Sequence, residues 1–215
     1  MIKAVIFDYG NVISLPQSPA VISEMEKISG VPASLFASVY DKYRFDFDRG
    51  LITGVQLYAQ LLKDAGYDVL AENTELMQQI VDIDMENWNK TNPAVTEWGL
   101  ALKQQGYKLG ILSNIPTEFL DRYEKEIALF AVADYACFSC HVNAIKPEEV
   151  IYRDVIAGLK VEPCEAVFFD DLPQNIEAAN RFGLHGVVWT GLENAKKAWK
   201  NLNRCNKKAI EPLDK

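Results

Sequence analysis

Polar side chains that could act on a phosphoryl group lie at several predicted strand ends and helix starts: Asp8, Ser113, Asn114, Lys146, Asp170 and Asp171. A carboxylate such as Asp8 can attack phosphorus and form an aspartyl-phosphate, provided that the charge on the phosphoryl oxygens is neutralised. With Asp170 and Asp171, Asp8 also offers the hard oxygen ligands that Mg²⁺ prefers. These residue types are therefore compatible with metal-assisted phosphoryl transfer.

The other polar groups can supply further neutralisation. Ser113 and Asn114 can donate a hydroxyl and backbone N–H groups to phosphoryl oxygens, because they lie between a predicted strand and a predicted helix. Lys146 carries a fixed positive charge that balances a dianion and the attacking carboxylate. Asn175, about one helical turn beyond Asp171, can orient the carboxylates or hold a metal ion through water.

Each of these segments also has a structural explanation. A single Asp after a strand is commonly a turn residue or a helix cap, Ser-Asn is a common turn pair, and Lys-Pro occurs by chance. Asp170 and Asp171 could be a helix cap followed by a solvated charge. The functional interpretation depends on the ordered set, because each member falls at the end of a predicted strand or in its following loop.

Parallel strands could bring these groups together at their carboxyl ends. Strands alternate with helices through most of the chain, which predicts an α/β fold: a Rossmann-like, mainly parallel sheet with helices on both faces. The predicted strands cover residues 2–7, 108–113, 135–139, 166–169 and 186–189. The helices predicted between and after them cover residues 92–105, 117–129, 148–160, 173–182 and 192–203.

Residues 15–91 have helical patterning and no convincing strand. Apolar spacing, capping residues and glycines predict a helix from Ser18 to Gly30, then helices over residues 32–43, 53–65 and 72–88. We interpret residues 15–91 as a small helical cap domain. Residues 1–14 and 92–215 then form the α/β core domain.

Composition limits the possible partners. The chain has 215 residues, of which 49% are hydrophobic and 24% charged, so it can bury a full core. Its net charge of −8 argues against a nucleic-acid partner. No secretion leader and no membrane-length apolar run is apparent, which predicts a cytoplasmic protein without a membrane partner.

Basic residues near the carboxyl terminus are interpreted as the solvated face of an amphipathic helix: Lys196, Lys197, Lys200, Arg204, Lys207 and Lys208.

The cysteines are expected to be free thiols, because four are too few for a disulfide framework in a chain of this length. They are Cys137, Cys140, Cys164 and Cys205. The run from Cys137 to His141 matches a c-type haem attachment pattern, but that chemistry requires export, so we interpret the run as a strand. A zinc site drawing on His141 and His185 fits no common ligand spacing.

In this order, the polar segments resemble the four catalytic motifs of the haloacid dehalogenase (HAD) superfamily of hydrolases, in its capped subfamily I. The resemblance runs from Ile2 to Trp189 and implies a HAD-like core, Mg²⁺ as cofactor, a small phosphorylated substrate, and a monomer or homodimer. It implies catalytic roles for Asp8, Ser113 and Lys146. It implies substrate binding by Ser113, Asn114, Lys146 and Arg49, and metal binding by Asp8, by the backbone carbonyl of Gly10, and by Asp170 and Asp171. Residues 7–12, 49–53 and 167–171 are most similar to small phosphatases of sugar phosphates, such as the bacterial glucose-1-phosphate phosphatases.

Gly10 departs from the usual pattern of the superfamily. Phosphatases of this kind usually carry a second aspartate two residues after the nucleophile, where it acts as general acid and base. Such catalysis contributes about 10²–10⁴-fold, so its absence favours substrates with good leaving groups, such as anomeric sugar phosphates or acyl phosphates. The sugar-1-phosphate phosphatases share this glycine, so catalysis is compatible with it.

A group from the cap is the alternative source of the proton. The candidates are Asp46, Asp48 and Arg49, in a predicted polar loop between two cap helices. The competing interpretation is a solvated loop in which Phe45 and Phe47 pack inward.

Two other functions are compatible with parts of the pattern. Metal-independent 2-haloacid dehalogenases use an aspartate nucleophile, a Ser-Asn pair and a lysine. They carry tyrosine two residues after the nucleophile and lack paired metal-binding carboxylates, so Gly10 and the pair Asp170 and Asp171 argue against them. A non-catalytic protein that binds a phosphorylated ligand is the second alternative, since fold alone does not guarantee chemistry.

Overall fold

The computed structural model describes residues 1–38 and 42–208, with side-chain positions up to residue 203. Its strands are Ala4–Phe7 (β1), Lys108–Ser113 (β2), Tyr135–Phe138 (β3), Ala166–Asp170 (β4) and His185–Val188 (β5). They form one five-stranded parallel sheet in the order β3-β2-β1-β4-β5. The predicted parallel α/β fold is confirmed.

Side chains of the central strands point alternately to the two faces of the sheet, and both faces are buried. In β1, Val5 and Phe7 belong to one hydrophobic cluster, whereas Ala4 and Ile6 belong to a second cluster. All four are fully buried. A strand with two buried faces requires helices on both sides, which explains the continuous apolar run before Asp8.

The described helices surround the sheet or lie in the insertion after β1. In chain order they are Pro19–Ser29 (α1), Ala33–Ala37 (α2), Arg44–Asp48 (α3), Gly54–Asp64 (α4), Asp68–Ala71 (α5), Thr74–Trp88 (α6), Pro93–Gln104 (α7), Thr117–Tyr123 (α8), Ala128–Val132 (α9), Ser139–Val142 (α10), Glu149–Leu159 (α11), Pro173–Phe182 (α12) and Leu192–Lys208 (α13). The predicted boundaries of α1 are confirmed. Ser18 caps its amino end and Gly30 ends it with φ 72°.

The helices α1–α6 lie between two chain segments, residues 13–15 and 90–92, that are hydrogen-bonded to each other. The Leu15 amide donates to the Lys90 carbonyl at 2.7 Å, and the Asn92 amide donates to the Ile13 carbonyl at 2.8 Å. The chain therefore leaves the sheet and returns to it at one place. That place corresponds to the predicted boundaries at residues 14 and 92, although the division into two domains stays a prediction.

Three predicted elements differ from the structure. The run from Cys137 to His141, interpreted as a strand, is a strand only as far as Phe138, and Ser139–Val142 form the short helix α10. The predicted helix over residues 117–129 is divided into α8 and α9, because Ile127 and Leu129 are both buried. In a continuous helix, residues two positions apart point in nearly opposite directions and could not enter the same core. The predicted polar loop at residues 44–50 is the short helix α3, in which Phe47 is buried and Phe45 is 52% exposed.

Some predicted features extend beyond the described residues. The helix predicted over residues 32–43 corresponds to α2 before the gap at 39–41. In α13, Ala195 and Trp199 are buried while Lys197 and Lys200 are exposed, as an amphipathic helix requires. The side chains of Arg204, Cys205, Lys207 and Lys208 lie outside the described part.

Cys137, Cys140 and Cys164 are free thiols. Among the described helices, none has the length and apolar character needed to cross a bilayer.

Gly158 allows α11 to approach the sheet closely. A methyl group at this position would lie 2.3 Å from ring carbons of Tyr135 on β3. Helix propensity alone would make Gly158→Ala stabilising by about 0.5–1 kcal/mol. We expect the opposite, a loss of about 1–3 kcal/mol in the free energy of unfolding, because overpacking forces the ring or the helix to move.

Urea unfolding of the Gly158→Ala variant measures this effect. Ala157→Gly, at an exposed position of the same helix, is the control. Its free energy of unfolding should fall by about 1 kcal/mol, the difference in helix propensity between alanine and glycine. A Gly158→Ala protein more stable than the wild type would contradict the close packing.

Candidate active site

The carboxyl ends of the central strands place the predicted site residues side by side. Asp8 directly follows β1, Ser113 ends β2 and Asp170 ends β4. Phe7 pairs with Ile111 on one side and with Phe169 on the other, so the three strands end at nearly the same level. The chain order of the motifs thus becomes a spatial cluster at one edge of the sheet.

Lys146 lies between two of the carboxylates. Its Nζ is 2.7 Å from Asp8 Oδ1 and 2.7 Å from Asp170 Oδ2. The side chain of Lys146 is 2% exposed, and those of Asp8 and Asp170 are 9% and 0% exposed. Charges this deeply buried are tolerated only when they are paired and hydrogen-bonded, so these three side chains form one electrostatic unit.

Hydrogen bonds fix the orientation of each carboxylate. Asn175 Nδ2 donates to both oxygens of Asp170 at 3.0 Å, and the Leu172 amide donates to its Oδ1 at 2.8 Å. Asn11 Nδ2 donates to Asp171 Oδ2 at 2.8 Å. The predicted role of Asn175 in orienting a carboxylate agrees with this contact. Asn11 was missed, because an asparagine in a turn is a common structural residue.

The Asp8 carboxylate is held through one oxygen. Its Oδ1 accepts from the backbone amide of Tyr9 at 2.7 Å as well as from Lys146. Burial raises the pKa of Asp8; the positive charge of Lys146 opposes this effect and the negative charge of Asp170 adds to it. Burial also acts to lower the pKa of Lys146, but the carboxylates of Asp170 and Asp8 outweigh it and raise that pKa. Lys146 therefore stays protonated.

Asn114 and Ser113 occupy different positions relative to the cluster. Asn114 Oδ1 accepts from the Lys146 amide at 2.7 Å, and its Nδ2 donates to the Lys146 carbonyl at 3.2 Å. This reciprocal pair fixes the backbone that carries Lys146. Ser113 is 2% exposed at the end of β2. Asn114 lines the cleft described next, whereas Ser113 is not among its lining residues.

A cleft of about 280 Å³ opens above these groups. Its polar lining residues are Asp8, Gly10, Asn11, Arg44, Asp48, Asn114, Lys146, Asp171 and Asn175, and its apolar lining residues are Tyr9, Phe45, Trp88, Ile115, Phe119 and Leu172. Four of the lining residues, Arg44, Phe45, Asp48 and Trp88, come from the inserted helices. Arg44 was missed from the sequence, since one arginine in a run of charged and aromatic residues carries no distinguishing signal.

Arg49 is placed elsewhere. Its guanidinium pairs with Glu148 and lies 3.8 Å from Asp46, and its carbonyl accepts from Asn143 Nδ2 at 2.9 Å. These contacts join the turn after α3 to the loop between α10 and α11. Arg49 therefore connects the insertion to the sheet side of the molecule, and it is not among the cleft-lining residues.

The acidic cluster fits a divalent cation. Carboxylate oxygens of Asp8, Asp170 and Asp171 lie within 4.8 Å of one another. Hard carboxylate oxygens at this mutual distance match the ligand preference of Mg²⁺, which binds a few carboxylates and retains several waters. Burial raises the pKa of Asp171 and the bond from Asn11 opposes that effect, while nearby Asp170 adds to it. Adjacent negative charges are thus crowded together here.

The family model for haloacid dehalogenase-like hydrolases matches residues 2–183. This chain belongs to that family. The mouse (Mus musculus) bifunctional epoxide hydrolase 2 is 25% identical to this HAD-like hydrolase over 206 residues, covering 87% of the chain but only 36% of the mouse protein. YhcW of Bacillus subtilis (strain 168), named as an assumed phosphatase, is 27% identical over 193 residues, covering 87% of the chain and 83% of YhcW.

Solved structures agree on the fold. A HAD-family enzyme of Bacteroides thetaiotaomicron, crystallised with magnesium and inorganic phosphate, has a TM-score of 0.66 at 20% identity, covering 87% of this chain and 94% of that one. An L-2-haloacid dehalogenase has a TM-score of 0.65 at 22% identity, covering 87% of this chain and 84% of that one. Because both superpose equally well, the fold of this HAD-like hydrolase does not choose between phosphate and haloacid chemistry.

Proposed function

We propose that this HAD-like hydrolase is a Mg²⁺-dependent phosphatase of a small phosphorylated metabolite, in which Asp8 forms an aspartyl-phosphate. One observation carries the proposal. The cluster holds three carboxylates and one lysine, of which Asp8, Asp170 and Lys146 are buried and Asp171 is half-buried, so it has a formal surplus of two negative charges when all four groups are ionised. A divalent cation balances that surplus, whereas metal-independent attack on carbon has no use for it.

The residues have distinct proposed roles. Asp8 is the nucleophile; Tyr9 and Lys146 hold its Oδ1, which leaves Oδ2 as the oxygen assigned to attack phosphorus. Lys146 balances the charge of the phosphoryl oxygens, with Ser113 and Asn114 as donors or positioning groups. Asp8, Gly10, Asp170 and Asp171 would hold Mg²⁺, which when bound neutralises the charge on the phosphoryl group. Asn175 and Asn11 keep the carboxylates of Asp170 and Asp171 oriented.

We further infer that residues 15–91 act as a cap over the cleft. Their two ends lie together at residues 13–15 and 90–92, and their helices contribute Arg44, Phe45, Asp48 and Trp88 to the wall. A cavity of about 280 Å³ is slightly smaller than the usual range for ligand pockets, about 300–1,000 Å³. It suits a phosphoryl group with a small leaving group, and a sugar phosphate is the proposed class because aromatic rings such as Trp88 can pack on the apolar face of a sugar. The cytoplasmic location and the oligomeric state stay predictions.

Phosphate release tests the proposal. The assay uses p-nitrophenyl phosphate and a panel of sugar phosphates, each with Mg²⁺ and with EDTA. We expect turnover only with metal, because the carboxylate cluster repels a phosphate dianion until its charge is balanced, and we expect Mg²⁺ added after EDTA to restore it. Metal-independent turnover would contradict the assigned metal site.

The same protein preparation separates the alternatives. Chloride release from 2-chloropropionate without metal would support a dehalogenase. If neither phosphate nor chloride is released, while inorganic phosphate raises the melting temperature in the presence of Mg²⁺, the result supports a protein that binds phosphate without turning over these substrates.

A further inference from the structure

A phosphate ester needs a proton for its leaving oxygen, and Gly10 cannot supply it. The titratable or charged side chains that line the cleft, within the described residues, are Asp8, Tyr9, Arg44, Asp48, Lys146 and Asp171. Asp8 and Asp171 are assigned to attack and to metal binding. Lys146 is held protonated between two carboxylates, so neither releasing a proton nor taking one up is favourable there.

Two further side chains are unsuitable as proton donors. Arg44 does not lose its proton in proteins. Tyr9 is buried, its hydroxyl donates to the Trp88 carbonyl at 2.7 Å, and burial raises its pKa far from neutrality. Asp48 is therefore the group in this set whose chemistry suits proton transfer.

Asp48 is held rigidly in the cleft wall. Its Oδ1 accepts from Arg44 Nε at 2.7 Å, one turn earlier in α3, and the residue is 7% exposed. Its backbone carbonyl accepts from the hydroxyl of Ser139, and that hydroxyl oxygen accepts from the Ile115 amide at 2.8 Å. Ser139 thus ties the Asp48 backbone to the loop after β2, so this cap residue has a fixed position relative to the sheet end.

We propose that Asp48 is the general acid and base of this site, supplying from the cap the carboxyl group that is absent at Gly10. The inference rests on the proposed phosphatase function and identifies a catalytic residue for it.

The proposed proton transfers balance over one catalytic cycle. In the first step Asp8 Oδ2 bonds to phosphorus, the bond from phosphorus to the ester oxygen breaks, and the Asp48 carboxyl gives its proton to that oxygen, which leaves as an alcohol. In the second step the Asp48 carboxylate takes a proton from water as the water oxygen bonds to phosphorus. The bond from phosphorus to Asp8 then breaks, which restores both aspartates and releases phosphate.

The surroundings of Asp48 favour its protonated form more than water does. Burial raises its pKa; the positive charge of Arg44 opposes this, Asp84 from α6 adds to it, and Lys146 opposes it at longer range. Cys140 on α10 also faces this carboxylate. Because a general acid acts while protonated, turnover of substrates with poor leaving groups should fall as pH rises above the pKa of Asp48.

Two aryl phosphates of nearly the same shape test the assignment. p-Nitrophenolate leaves readily without a proton, whereas phenolate leaves poorly without one. We expect Asp48→Asn to lower kcat/KM for phenyl phosphate by about 10²–10⁴-fold and for p-nitrophenyl phosphate by less than about tenfold. Because the second step lacks its base, p-nitrophenol should appear in a burst equal to the enzyme concentration, followed by slow turnover. The fall in phenyl phosphate turnover at high pH should also disappear.

Asp46→Asn is the matched control, since its carboxylate lies two residues away in α3 with its side chain 63% exposed. It should match the wild type on both substrates. Asp48→Asn equal to Asp46→Asn would overturn the assignment, as would an equal loss on both substrates with no burst. Either result leaves the phosphatase proposal intact, because that proposal is tested separately by the metal-dependent release of phosphate by the wild type and by the Asp8→Asn variant.

Asp48→Glu is the second variant, for use if Asp48→Asn does not fold. It keeps a carboxylate for Arg44 but displaces it by about one bond length. A selective loss on phenyl phosphate supports proton transfer, and an equal loss on both substrates overturns it.

Discussion

Asp8→Asn is expected to reduce phosphate release by at least about 10⁴-fold, the scale of loss seen when a nucleophile is removed from a catalytic unit. The amide has nearly the same shape and can still accept from the Tyr9 amide, so the loss reflects nucleophilicity rather than folding. Phosphate release from p-nitrophenyl phosphate with Mg²⁺ measures the effect. Acid-quenched wild-type enzyme should carry phosphate on Asp8, and the variant should carry none.

Asp68→Asn, at an exposed position at the start of α5, is the control and should keep full turnover. Thermal unfolding in EDTA should show a cooperative transition for Asp8→Asn, and Mg²⁺ should raise the melting temperature of the variant less than that of the wild type, because the variant lacks one of the assigned metal ligands. A well-folded Asp8→Asn protein that retains more than about 1% of wild-type turnover would contradict covalent catalysis by Asp8.

Lys146→Met is expected to remove turnover and to destabilise the metal-free protein by about 3–5 kcal/mol, the usual cost of breaking a buried ion pair. Methionine approximately fills the volume of the lysine stem but leaves the carboxylates of Asp8 and Asp170 without their shared cation. Urea unfolding in EDTA measures the loss. Because the variant has a larger surplus of negative charge, Mg²⁺ should stabilise it more than it stabilises the wild type.

Lys103→Met provides the comparison. Lys103 Nζ is 2.9 Å from Asp134 Oδ2, but both side chains are more than a third exposed. Surface pairs of this kind contribute about 0–1 kcal/mol. Lys146 does not act as the counter-charge of the cluster if Lys146→Met unfolds at the same urea concentration as Lys103→Met. The same conclusion follows if Mg²⁺ raises the free energy of unfolding of Lys146→Met no more than that of the wild type.

Most of the catalytic cluster could be predicted from the sequence. Lys146 lies in the loop after α10, so only the order of the motifs placed it with the other groups. Asp8 and Asp170, in contrast, come at the ends of continuous apolar runs that indicate buried strands, and the ends of parallel strands meet at one edge. Their close approach was therefore predictable before any distance was known. The tertiary structure adds the pairing distances and the second contacts, such as those of Asn11 and Asn175 with the carboxylates.

The walls of the cleft were less predictable. Arg49 and Asp48 are neighbours in the chain, yet Arg49 pairs with Glu148 outside the cleft while Asp48 lines it. The sequence could not distinguish Asp46 from Asp48, because the segment is predicted as a loop and the side-chain directions in a loop do not follow from the sequence pattern. Once it is the helix α3, the two carboxylates lie about 200° apart around its axis, and only one of them can face the cleft.

The sequence by itself determined the parallel sheet and the set of groups at its edge, because strand burial and strand ends are local properties that the pattern of apolar residues records. Only the tertiary structure decided which side chains of the inserted helices face that edge. The directions of these side chains depend on contacts between segments far apart in the chain, such as the hydrogen bond from the Ser139 hydroxyl to the Asp48 carbonyl. No local sequence pattern encodes those contacts.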